Sequence, residues 1–229
     1  MADATPGPNY QRLAFWSVFV AAIAALNYST RFSGGNNRHA TGHVSIYSYS
    51  TFAGGMVIYA IWAGIVLLIC IDRFDLLALR RPQSWSRALR LAVATILVIW
   101  VWEAIVSRIP LPQSPGREQG ITTVHWEPAH AGAFAANVVL FAVVAPIVEE
   151  LTFRGAGQSL LRFLGHASSI LIVGVAFGLA HGLIEGLLVL IPFGIALAWL
   201  RDRTESVVPG MFVHALFNGA ALAAAVLLT

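Results

Sequence analysis

Charge is scarce in this sequence. Only 11% of its 229 residues are Asp, Glu, Lys or Arg, against about 25% in an ordinary soluble domain. So few charges cannot cover a globule with a polar surface, which excludes a soluble globular protein. Lysine is absent, so all 14 basic residues are arginines. They stand in short stretches between apolar runs, the pattern of topology signals rather than of a nucleic-acid-binding face, and no nucleic-acid partner is expected. The single cysteine, Cys70, lies within an apolar run, which excludes a disulfide framework and a CxxC metal site. Internal repeats are also missing, and with them the two-fold hydropathy pattern of many transporters.

What the chain has instead is apolar length. A membrane helix needs roughly 20 mostly apolar residues. Seven candidates cover residues 13–28, 52–71, 91–106, 131–163, 168–183, 187–200 and 207–228. The reading is an all-α, polytopic transmembrane bundle of about seven helices (six to eight), with an active site inside it. It forms one membrane-embedded domain, 1–229, whose motif-bearing core is about 131–228. The first run reads as an uncleaved helix rather than a signal peptide, because only Arg12 precedes it and no clear cleavage site follows. The loop after the second run carries Arg73, Arg80, Arg81, Arg87 and Arg90. Placing it in the cytoplasm leaves only Arg31, Arg38, Arg108 and Arg117 outside. The expectation is a multi-pass protein of the cell (inner) membrane, with its N-terminus cytoplasmic and its C-terminus outside.

Ionisable groups inside membrane segments are costly and point to function. Glu103, Glu149, Glu150, His181 and His214 are of this kind. Glu150 and Arg154 are four residues apart with the acid first, the favourable order for a helix pair. Arg154 is therefore expected to hold Glu150 as support, while Glu149, about 100° around the helix, faces the cavity as the working carboxylate. Pro146 removes a helical donor just before the pair. Phe177 and His181 share one face of the next run, and Gly174, Gly178 and Gly182 form a small-residue stripe for close helix packing. His214 and Asn218 are again four apart. A carboxylate pair, two histidines and an amide on three apolar helices make a hydrolytic set. The carboxylate can act as base on water, imidazole can share that role or bind a metal, and a His–Asn pair can donate to an oxyanion. At 1.5 Å per residue, His214 lies about 10 Å and His181 about 20 Å into their helices, so His181 is expected to sit deeper than the rest. Glu103 reads as structural, the alternative being that it lines the same cavity or pairs with an arginine; His39, His43, His125, His130 and His166 fall in loops and take no role.

The motifs Glu-Glu-x-x-x-Arg (Glu149, Glu150, Arg154), Phe-x-x-x-His (Phe177, His181) and His-x-x-x-Asn (His214, Asn218), in this order, resemble the CPBP family of CAAX prenyl proteases and bacteriocin-processing (Abi) proteins. The resemblance covers about 141–220 and does not extend to the first three helices. It implies an intramembrane endopeptidase in which Glu149 and His181 activate water and His214 and Asn218 form the oxyanion site, with Glu150 and Arg154 in support. The family has been described both as glutamate-dependent and as metal-dependent. No His-Glu-x-x-His helix is present, so a zincin site is not expected, whereas zinc on Glu149, His181 and His214 is chemically feasible. The implied partner, besides the lipid bilayer, is a membrane-anchored or lipidated protein or peptide, cut in a CAAX-like tail, a leader or a C-terminal sorting segment. The alternatives are a non-catalytic scaffold or immunity protein of the same fold, and a small transporter. The sequence specifies no oligomeric state.

Overall fold

A computed structural model describes residues 9–33, 46–112 and 125–227. Residues 34–45 and 113–124, with Arg38, His39, His43 and Arg117 among them, lie outside the described residues. Among those described, seven helices form one bundle: α1 (Tyr10–Ser33), α2 (Tyr49–Ile69), α3 (Trp85–Val106), α4 (Pro128–Leu160), α5 (His166–Ala180), α6 (Leu187–Thr204) and α7 (Val208–Leu227). Five of them, α1–α4 and α7, are long and apolar enough to cross a membrane. The remaining two are the short apolar α5 and the 18-residue α6, whose last turns carry Arg201, Asp202 and Arg203. This is a polytopic helical bundle of a multi-pass membrane protein. Large apolar side chains such as Val18, Leu26, Ile58, Ile61, Leu97, Val101 and Phe212 cover its outer face, the arrangement that lipid favours and water does not.

The helix ends sort the arginines. The start of α1 meets the end of α2 where Arg12 donates to the Ile69 carbonyl. The 3₁₀ turn Phe74–Leu77 and its flanks meet the α6–α7 turn, where Arg80 donates to the Glu205 carbonyl. Arg162, at the end of α4, pairs with Asp202 of α6. Arg12, Arg80 and Arg162 therefore gather at one end of the bundle, while Arg31, in the last turn of α1, meets Glu185 at the other. Arg154 does not count among them: it is fully buried inside, and charge bias must be read without it.

Two prolines interrupt helices inside the bundle, and in each case a neighbouring helix supplies the missing donor. Pro192 of α6 has no N–H for the Leu188 carbonyl, four residues back, and Trp102 of α3 donates to that carbonyl at 2.7 Å. Pro146 follows a π-helical turn, Leu140–Val144, in which Ala145 N–H reaches back five residues to Leu140. In that register the carbonyl that Pro146 leaves free is Phe141, and Asn218 of α7 donates to it at 2.9 Å. Buried backbone acceptors in lipid need such partners, because no water is there to take their place.

The segment of α4 beyond the Glu pair runs parallel to α6 and is laced to it at helical spacing. Arg154 donates to the Gly194 carbonyl, Gln158 to the Ala198 carbonyl, and Arg162 pairs with Asp202. Helix α5 packs on α6 through glycines. A Cβ on Gly174 would stand 2.7 Å from Ile195 N, and one on Gly178 2.5 Å from the Ile191 side chain. The third member of the expected stripe behaves differently. Gly182 lies beyond the helix end at φ +66° and abuts the backbone of Asn27 in α1. Gly174→Ala is expected to lower bundle stability by about 1–3 kcal/mol through overpacking, read as earlier thermal unfolding in detergent. Gly54→Ala, at a site with nothing within 4 Å, serves as the neutral comparison.

Candidate active site

Helix α4 places both glutamates between two π-helical stretches, Leu140–Val144 and Leu151–Gly157, a backbone irregularity that often accompanies functional sites. Glu150 is fully buried and pairs with Arg154 at 2.8 Å. Arg154 is equally buried, donates also to the Gly194 carbonyl, and lies 4.2 Å over the Phe177 ring. Glu149 points the other way, toward the histidines: its Oε2 lies 3.9 Å from His181 Nε2 and 3.8 Å from His214 Nε2. Tyr59 of α2 donates to its other oxygen, Oε1, at 3.0 Å.

The two imidazoles differ in what holds their far nitrogen. His181 Nδ1 lies 2.8 Å from the Phe177 carbonyl. Since a carbonyl only accepts, Nδ1 carries the proton, and Nε2 of a neutral ring is a free lone pair aimed at Glu149. His214 Nδ1 lies 3.0 Å from Glu150 Oε1, so this ring stands between the two carboxylates with one nitrogen toward each. Adjacent glutamates about 100° apart thus serve a single site by grasping opposite edges of one histidine.

Counting along the helices sets His181 too deep; in the structure it meets Glu149. It caps the C-terminal end of α5, and helical side chains lean back toward the N-terminus. Its ring accordingly folds onto Phe177 of the preceding turn, with centroids 4.6 Å apart, which brings it down to the carboxylate. Side-chain Asn27 holds the Ala180 carbonyl at 2.7 Å and fixes that helix end.

Asn218 lies one turn beyond His214, with one amide hydrogen committed to Phe141 and the other unassigned. Gly210 gives α7 its close approach to α4, since a Cβ there would come within 2.8 Å of Glu150 Oε2. Glu103 does not line this site: it is exposed near the end of α3, with no side-chain partner among the described residues.

The residues that sequence reasoning missed come from the first two helices. They are Tyr59 on Glu149, and Trp16 and Trp62 on Thr152, where Trp16 donates to the carbonyl and Trp62 to the hydroxyl. Their only sequence signal is three aromatic residues with polar tips in apolar runs, which is commonplace in membrane helices. To hold a zinc, the three donors would have to draw closer together. Ligands of a tetrahedral zinc at about 2.0–2.2 Å lie roughly 3.3 Å from one another. Here Glu149 Oε2 is 3.9 and 3.8 Å from the imidazole nitrogens, and no group of three His, Cys, Asp or Glu among the described residues is disposed to hold a metal.

Removing one partner of a buried ion pair leaves an uncompensated charge, at a cost of about 3–5 kcal/mol. Arg154→Leu is expected to show that loss in detergent unfolding, and Arg154→Leu with Glu150→Leu to recover part of it.

A family model, Rce1-like (type II CAAX prenyl endopeptidase Rce1-like), matches residues 131–220. No curated protein and no solved structure matches the chain. The matched stretch begins with the apolar part of α4 and ends just after Asn218; helices α1, α2 and α3 precede it. All three polar motifs lie inside this stretch, so the segment that carries the site is similar to type II CAAX prenyl endopeptidases.

Proposed function

We propose that the protein is an intramembrane endopeptidase that hydrolyses a peptide bond in a membrane-associated protein or peptide, in a CAAX-like tail, a leader or a C-terminal sorting segment. The observation that carries this reading is the convergence of Glu149 Oε2 with both imidazole Nε2 atoms, within 3.8–3.9 Å, inside a stretch matched by a prenyl endopeptidase family. A water between these three atoms has a carboxylate and the His181 lone pair to accept its protons. Its oxygen attacks the scissile carbonyl as a proton passes to Glu149 or His181. Negative charge develops on the carbonyl oxygen, where His214 Nε2–H and the unassigned Asn218 amide hydrogen would donate. At its other edge the His214 ring is held by Glu150, whose Oε1 lies 3.0 Å from Nδ1. Collapse of the tetrahedral intermediate breaks the C–N bond, and the proton held by Glu149 or His181 goes to the leaving amine. Glu150 and Arg154 support this site without touching the substrate.

The matching orientation puts the arginine-rich end in the cytoplasm, with the N-terminus inside and the C-terminus outside the cell membrane. His181, whose side chain is 28% exposed against 3% for His214, is then the side of the site through which a peptide presented from lipid can approach.

Purified protein in detergent, offered a library of membrane-anchored peptides, is expected to cleave a subset. Glu149→Ala and His181→Ala should each lose cleavage by at least about a hundredfold, the usual scale of general-base catalysis. Cleavage that survives both substitutions would sink the assignment. Exhaustive chelation is expected to leave the rate unchanged. Loss of activity that returns with added zinc would instead place a metal between Glu149, His181 and His214.

A further inference from the structure

The carboxylate of Glu149 is held from outside the matched segment. Tyr59 of α2 donates its phenol proton to Glu149 Oε1 at 3.0 Å. Three residues on, Trp62 of the same helix donates its indole N–H to Thr152 Oγ1 at 2.8 Å. Glu149 and Thr152 are also three apart, so α2 grips α4 at two points of equal helical spacing. The grip is stiff. The Tyr59 and Trp62 rings stack with centroids 5.6 Å apart and planes 17° from parallel, and Phe19 of α1 closes on the edge of Trp62 at 5.9 Å. Thr152 is fixed as well, because its hydroxyl donates to the Val148 carbonyl and its own carbonyl accepts from Trp16 of α1.

We infer that Tyr59 is a positioning residue for peptide hydrolysis, acting by locking the Glu149 carboxylate so that Oε2 faces the water. This rests on the endopeptidase reading above. The terminal torsion of a glutamate is broad, so nothing in α4 itself fixes the plane in which the carboxylate meets the histidines. The groups that face this carboxylate are Tyr59 from α2, His181 from the end of α5 and His214 from α7, with Glu150 and Arg154 on its own helix behind it. Of these, only Tyr59 meets Oε1. With the phenol on that oxygen, Oε2 is left for the two imidazoles. The family-matched segment supplies the reacting groups, and α1 and α2, which precede it, supply the clamp that aims them.

Tyr59→Phe tests this with the full chain, because it keeps the stacked ring and removes one oxygen. The expected result is unchanged thermal unfolding, a kcat lowered about ten- to a hundredfold, as for a small misplacement of a reacting group, and a KM within about twofold. Fluorinated tyrosines at position 59 should grade kcat with phenol acidity, which a purely structural ring would not do. Tyr59→Phe with wild-type kcat, or with a change in KM alone, would overturn the assignment and leave the endopeptidase reading standing. A wild-type protein that cleaves no peptide would overturn that reading instead. The ¹⁹F resonance of 3-fluorotyrosine at position 59 then still decides the contact. It is expected to move on Glu149→Ala while the same probe at Tyr49 does not, and a resonance that stays put overturns the clamp.

Discussion

A guanidinium with no access to solvent, in a bundle that lipid surrounds, is the constraint to which the rest of the site conforms. Arg154 is buried to 0% exposure, and the desolvation of such an ion is recovered only through close partners. Glu150 supplies the opposite charge, the Gly194 carbonyl a second acceptor, and the face of Phe177 a quadrupole beneath the cation. Each of these partners then organises something else. Glu150 turns to His214, Gly194 admits α5 at close range, and Phe177 carries the His181 ring and accepts its Nδ1 proton. The buried cation and the two histidines are thereby parts of one network rather than separate features.

Proline and π-helical turns reach the same site by another route. They free backbone carbonyls in places where water is absent, and each free carbonyl recruits a polar side chain from a neighbouring helix. Pro146 ties Asn218 to Phe141, and Pro192 ties Trp102 to Leu188. The second π-helical stretch begins immediately after Glu150, and Trp16 takes the Thr152 carbonyl within it. Local irregularity in α4 and α6 thus becomes the cross-bracing of the bundle. It holds α7 at the height where His214 stands between two carboxylates.

Much of the molecule was legible in the amino-acid sequence, for a physical reason. Apolar length dictates spanning helices, and i,i+4 spacing places Glu150 against Arg154 whatever surrounds them. The seven helices, the partnership of Glu150 with Arg154 and the Rce1-like character of residues 131–220 all rest on such short-range information. Expectations failed where they needed heights or neighbours. Depth counted along the helices sets His181 too deep although it meets Glu149, Gly182 leaves the four-residue stripe through its positive φ, and Arg154 lies in the core rather than with the loop charges.

Only the tertiary structure decided which groups surround the Glu149 carboxylate and how it is turned between them. The sequence determines that a carboxylate, two imidazoles and an amide lie on three apolar helices, because composition and periodicity are properties of each helix alone. It does not determine that Tyr59, 90 residues away, meets Glu149, or that His214 stands between two adjacent glutamates. Those contacts follow from how the helices cross, turn and approach, which glycines, prolines and buried hydrogen bonds fix jointly and no single helix encodes.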